Sequence, residues 1–118
     1  MPHSNPTVVR LEDREWDIAS ADVLAKLLES TYEQPEVVVD LSAVHYIDST
    51  CLGKLARMRG ERIRRGLHPG RLVIATPQVR RIFHIVQYDL IFEVFDSVEA
   101  AIAEGNGESA PQEARPSP

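Results

Sequence analysis

One cysteine, Cys51, stands among 118 residues. A lone thiol can neither close an internal disulfide nor build a cysteine-rich zinc site, so disulfide-stapled secreted scaffolds are excluded and a reducing, intracellular setting is expected. No apolar run approaches the roughly 20 residues that span a bilayer. The opening "MPHSNPTVVR" has neither the basic start nor the apolar core of a signal peptide, which predicts a cytoplasmic protein without membrane insertion. Metal-ligand patterns are missing too: His3, His45, His68 and His84 are scattered, with no pair at ligand spacing. Without a Walker-type loop or a G-x-G-x-x-G, neither a metal nor a cofactor is expected.

Excess positive charge is also absent. A formal net charge of -5 argues against general affinity for nucleic acid, so no direct nucleic-acid partner is expected. Arg57, Arg59, Arg62, Arg64, Arg65 and Arg71 do form a local basic cluster, which reads as a solvated helix face. Within it Arg57 and Glu61, then Glu61 and Arg65, stand at the i,i+4 spacing that allows pairing.

What is present is a chain with 43% hydrophobic and 26% charged residues, the balance of one domain able to bury a core. "TVVRL" (7–11) follows Pro6 and reads as an edge strand. "SADVLAKLLESTY" opens on cap-competent Ser20 and places Ala21, Leu24, Leu28 and Tyr32 on one helical stripe, with Leu27 beside it. "EVVVDL" (36–41) is almost continuously apolar, as in a strand covered on both faces. After the connection "AVHYI", a helix over 50–65 repeats Leu52, Leu55, Ala56 and Ile63 at helical spacing and stops near "GLHPG". "RLVIA" (71–75) is a third strand, and Thr76 with Pro77 starts a helix burying Val79, Ile82, Phe83 and Val86. "IFEVF" (91–95) is a fourth strand, and Asp96 with Glu99 matches a capping box for a last helix burying Val98, Ala101 and Ile102. From 105 to 118 no large apolar residue occurs, which predicts a flexible tail. The alternating order predicts an α/β domain over 7–104 with a small, mainly parallel sheet of four to five strands.

"YIDSTCLGKL" (46–55) follows the most buried strand, where open α/β sheets place their working residues. Asp48, Ser49 or Thr50 can cap the helix that begins there, but three such residues in a row exceed what a cap needs. A hydroxyl at a helix start also lies where a phosphate is favoured by the helix dipole. A serine nucleophile at Ser49 with His45 or His84 as base is poorly signalled, for there is no G-x-S-x-G elbow and His45 lies only four residues upstream. Cys51 fits a buried small hydrophobe better than an oxidation-sensitive thiol. Asp17, in "REWDIAS", can cap the first helix or lie near the second helix start, and the adjacent Trp16 reads as a packing aromatic.

Three blocks together carry a resemblance. "VVVDLSAVHYIDSTCLGKL" resembles the STAS domain signature, in which an aliphatic strand leads into an Asp-Ser-Ser/Thr-Gly-Leu-Gly segment opening a helix. "GRLVIATPQVRRIFHIVQYDLIFEVFDSVEAAI" is similar to the family's second half, and "REWDIASADVL" to its Gly-Glu-Leu-Asp stretch. Within the family this short domain most resembles bacterial anti-sigma factor antagonists, which are not enzymes. The resemblance implies partner switching. An anti-sigma factor serine kinase is bound by the unmodified antagonist and released when it phosphorylates the serine after the motif aspartate, and a metal-dependent serine phosphatase reverses the modification. Carried over, the acceptor is Ser49, which chemistry alone does not separate from Thr50. The partner-binding residues are Asp17, Asp48, Ser49, Thr50 and Cys51. The alternative is a non-switching STAS interaction subunit of a stress-signalling scaffold or a lipid-transport complex. Two departures stand out: Cys51 replaces the family glycine, which puts a side chain where a partner approaches, and few residues precede "EDREWD", so the family's first strand is expected to be missing or very short.

Overall fold

The computed structural model describes residues 6–105. Four parallel strands form the main sheet: β1 (Thr7–Arg10), β3 (Val37–Asp40), β5 (Arg71–Val73) and β6 (Glu93–Phe95), in the order β1-β3-β5-β6. Between the first two come a second strand, β2 (Glu15–Trp16), a 3-10 turn (Ile18–Ser20) and helix α1 (Ala21–Glu29). A further strand, β4 (Tyr46–Ile47), leads directly into α2 (Ser49–Arg64). Helix α3 (Pro77–Ile85), a 3-10 turn (Tyr88–Leu90) and α4 (Val98–Gly105) complete the order. The mainly parallel α/β architecture matches the expectation. The tail from 106 onward lies outside the described residues, and α4 includes Gly105, one residue past the expected boundary.

All four residues of β3 are buried because the strand is covered twice. Val37 and Val39 join the large core of Leu24, Leu28, Leu55 and Phe83, while Val38 packs with Val73 and Ala101 under α4. Each such valine contributes roughly 1.5–3 kcal/mol of burial, which is why an unbroken aliphatic run reads as central. At the edge, β1 alternates half-buried Thr7 and Val9 with exposed Val8 and Arg10.

Several local expectations are corrected. Ser20 does not cap α1 with its side chain; its hydroxyl instead accepts the Asp17 N–H at 3.0 Å, while Asp17 caps the 3-10 turn. Ile63 is 45% exposed, and Arg62, read as part of a solvated face, is fully buried. The guanidinium of Arg62 donates to the carbonyls of Thr31 (2.6 Å), His68 (2.8 Å) and Pro35 (3.0 Å), so a charged side chain serves as a core residue by binding three loop carbonyls. Arg71 is likewise buried, paired with Glu36 at 2.9 Å and Glu93 at 3.2 Å. Glu61 pairs with Arg64 and Arg65 rather than with Arg57.

Val86 is exposed beyond the end of α3. The Thr76 hydroxyl donates to the Val44 carbonyl (2.9 Å), leaving Pro77 to start α3 without a side-chain cap. At α4 the Ala100 N–H donates to Ser97 Oγ (3.1 Å), while Asp96 pairs with Arg80. At α4 the tertiary partner Arg80 takes the Asp96 carboxylate in place of the local cap.

Candidate functional site

β2 and β4 are too short to stand out by alternation, yet they pair in parallel, Glu15 with Tyr46 and Trp16 with Ile47. The ladder is extended where Asp48 N–H donates to the Trp16 carbonyl at 3.0 Å. Asp17 and Asp48 therefore leave the two strands side by side, each starting a helical turn. Trp16 and Ile47 anchor the ladder in the core at 3% and 1% exposure, which makes the placement of both acids a consequence of burial.

Each carboxylate has a local task. Asp48 Oδ1 accepts the Cys51 N–H at 3.0 Å, the capping bond of α2, and Asp17 Oδ1 accepts the Ala19 N–H at 3.0 Å. With Asp48 as cap, Ser49 and Thr50 are released from capping. Ser49 is the first helical residue and is exposed; Thr50 is half-buried, so exposure separates two hydroxyls that the sequence alone did not. The hydroxyl of Ser49 has no hydrogen-bond partner among the described residues. It stands at the positive end of a 16-residue helix.

Cys51 is the buried small side chain that its sequence favoured, and not the protruding one that replacement of the family glycine suggested. Its side chain is fully buried, turned away from any approaching partner, and its thiol donates to the Asp17 carbonyl at 3.4 Å. Burial, with the nearby charges of Asp48 and Asp17, pushes the thiol up to about 11. It therefore remains a neutral thiol, suited to packing rather than redox or nucleophilic chemistry. Of the five partner-binding residues inferred from sequence, Asp17, Asp48, Ser49 and Thr50 come together at the surface and Cys51 lies behind them.

Neither His45 nor His84 hydrogen-bonds to Ser49 among the described residues; His84 pairs instead with Asp89 at 2.9 Å. His68 accepts the Gly70 N–H and faces Glu93 at the other end of the sheet. Among the described residues no group of three or more His, Cys, Asp or Glu is placed to hold a metal ion, and no helix is long and apolar enough to cross a membrane. One surface residue was missed: Ile18 follows Asp17 and is 75% exposed. Helical periodicity carried back from Ala21 places it inward, and only the 3-10 geometry turns it out.

The family model described as the STAS domain matches residues 3–101. Among solved structures, an anti-sigma factor antagonist from Mycobacterium paratuberculosis is 25% identical, with a TM-score of 0.73 over 88% of this chain and 88% of its own. The anti-sigma factor antagonist SpoIIAA in its unphosphorylated form is 18% identical, with a TM-score of 0.71 over 88% and 91%. A sulfate transporter family protein from Wolinella succinogenes is 17% identical, with a TM-score of 0.68 over 84% and 83%. The last two likenesses speak for the fold alone. No curated protein matches this sequence. With the family match spanning most of the chain and the Asp48–Thr50 helix start set on its parallel sheet, the chain belongs to the STAS domain family.

Proposed function

We propose that this protein is a cytoplasmic, non-enzymatic anti-sigma factor antagonist, its STAS domain covering 7–104, that works by partner switching. Unmodified, it binds an anti-sigma factor serine kinase and so frees a sigma factor for transcription. The kinase phosphorylates Ser49 and the complex dissociates; a metal-dependent serine phosphatase restores the binding form. The observation that carries this reading is an exposed serine at the first position of α2, spared from capping by Asp48 and bordered by two carboxylates.

The physics runs in the required direction. A phosphate on Ser49 adds about -1.5 to -2 charges beside Asp48 and Asp17. A partner that packs on neutral hydroxyls then meets a bulky dianion that must be desolvated, and every 1.4 kcal/mol of that cost weakens binding about tenfold. The helix dipole favours the same anion, so the modification acts on docking and leaves the fold standing.

Incubation with ATP and the cognate kinase, followed by mass-spectrometric mapping, tests the assignment. The expected product carries one phosphate on Ser49, with Ser49→Ala unmodified but still bound and Ser49→Asp released. An unmodified Ser49 under conditions where the kinase turns over ATP on another substrate overturns it. Stable assembly with a scaffold or transport complex, indifferent to Ser49 substitution, is the result that favours the non-switching alternative.

A further inference from the structure

Helix α3 and the last two strands of the sheet enclose a cavity of about 190 Å³, lined by none of the residues around Ser49. Arg80, Phe83 and His84 wall one side of it, at the i, i+3 and i+4 spacing that puts them on one face of α3. Ile74 and Val94 form another side. Ile74 follows β5 directly and its N–H donates to the Phe95 carbonyl at 3.0 Å, so adjacent strands bring the two aliphatics together under the helix. The Tyr88–Leu90 turn supplies the remaining lining residue, Asp89. The cavity thus stands where β5 leaves the sheet, at the carboxyl end of a parallel strand, which is where open α/β sheets bind ligands. Pockets for drug-sized molecules run to roughly 300–1,000 Å³, so this one suits a smaller molecule.

Its lining is apolar on the buried side and carries both signs of charge on the exposed side. Ile74 and Phe83 are buried members of the main core, and Val94 packs half-buried against it. Arg80 pairs with Asp96 through Nη2, and His84 Nδ1 meets Asp89 Oδ2 at 2.9 Å. Both pairs face water, with Asp96 89% exposed and His84 81%, and exposed pairs of this kind are weak. Neither contact uses up its charged group, since a guanidinium has five N–H donors and a carboxylate accepts through two oxygens. A ligand bearing only a carboxylate is attracted by Arg80 and repelled by Asp89, and one bearing only an ammonium meets the reverse. A ligand that carries both charges on one carbon satisfies both residues.

We propose that this cavity binds a small apolar α-amino acid, with its side chain on Ile74, Phe83 and Val94, its carboxylate on Arg80 and its ammonium on Asp89. The aliphatic and aromatic floor supplies affinity by apolar burial, and the two charged residues fix orientation and select the zwitterion. His84 is a positioning residue that holds the Asp89 carboxylate from the solvent side. The site stands apart from the partner-switching reading, and neither depends on the other.

Titration calorimetry of the full chain with L-leucine, L-valine and L-phenylalanine tests the site. At least one is expected to saturate a single site below about 10 mM and to shift the methyl resonances of Ile74 and Val94 in carbon-edited spectra. The deaminated and decarboxylated analogues of the one that binds, 4-methylpentanoate and 3-methylbutylamine in the case of leucine, are expected to bind at least about tenfold more weakly. Arg80→Gln and Asp89→Asn, both at exposed positions, are expected to melt like the wild type and to lose about tenfold in affinity. No saturable binding of any of the three amino acids overturns the proposal. So do Ile74 and Val94 methyls that stay unmoved at saturation, analogues that bind as tightly as the amino acid, or wild-type affinity in both variants.

Discussion

The Cys51 thiol donates to the main-chain carbonyl of Asp17, 3.4 Å away and 34 positions earlier in the chain. The contact ties the start of α2 to the turn before α1, so the two acidic residues flanking Ser49 are held by one buried junction. It also explains how a side chain is accommodated where the family has glycine: Cys51 points into the core.

That junction predicts a specific alkaline sensitivity. The folded state keeps the Cys51 proton up to about pH 11, whereas the unfolded chain begins to release it near 9.0. The raised value means stability present below 9.0 is lost as pH rises toward 11, by an amount on the order of 2 kcal/mol. Urea unfolding between pH 8 and 10.5 should show the wild type declining more steeply than Cys51→Ala, and parallel profiles would contradict the buried thiol. At pH 8 the native thiol should also resist a disulfide reagent until denaturant is added.

Capping and charge separate at Asp48. Asp48→Ala should lower stability by about 1 kcal/mol through loss of the bond from the Cys51 N–H. Asn accepts the same bond, so Asp48→Asn should keep most of that stability while removing the charge beside Ser49. Chemical denaturation reports the first effect and kinase binding the second. A large stability loss in Asp48→Asn would show that the charge, and not the cap, is structural.

Arg62 is the most consequential buried polar residue. Its guanidinium satisfies three carbonyls at once, and the shorter, single-headed lysine cannot. Arg62→Lys should cost at least about 3 kcal/mol by leaving buried carbonyls unpaired, and Arg62→Met at least as much. Thermal unfolding checks this, and a lysine variant as stable as the wild type would refute the three-carbonyl role.

His68 sets an acid limit. Its Nδ1 accepts the Gly70 N–H at 3.0 Å, which leaves the proton on Nε2, 3.2 Å from Glu93. Burial, then the Arg71 guanidinium, holds the imidazole below its ordinary value, so the folded state binds fewer protons than the unfolded chain. Stability is therefore fully present above about pH 6.5 and falls as pH drops below it. Midpoints at pH 7.5 and 5.5 should differ more in the wild type than in His68→Gln; an equal difference would remove His68 as the cause.

Much of the fold was legible because its signals are local. Val37–Asp40 is a buried strand whose three consecutive valines announce double coverage, and Thr76-Pro77 marks a helix start through proline's fixed φ. The strands Glu15–Trp16 and Tyr46–Ile47 gave no such signal, since two residues cannot display a period. Ile63 and Arg62 show the limit of periodicity. Neighbours on the helix exchanged their expected environments, because three loop carbonyls needed donors and only a guanidinium could supply them.

The sequence by itself determined that residues 48–50 open a helix after a buried strand and that the three together exceed what a cap needs. Helix starts follow from side-chain oxygens within three residues of the N–H groups they satisfy, and that information is contained in a short window. Only the tertiary structure decided which hydroxyl is the more exposed, that Asp17 stands beside Asp48, and that Cys51 faces inward. Those facts depend on the parallel pairing of Trp16 with Ile47 and on burial against a common core, relations between segments some 30 residues apart that no local pattern encodes.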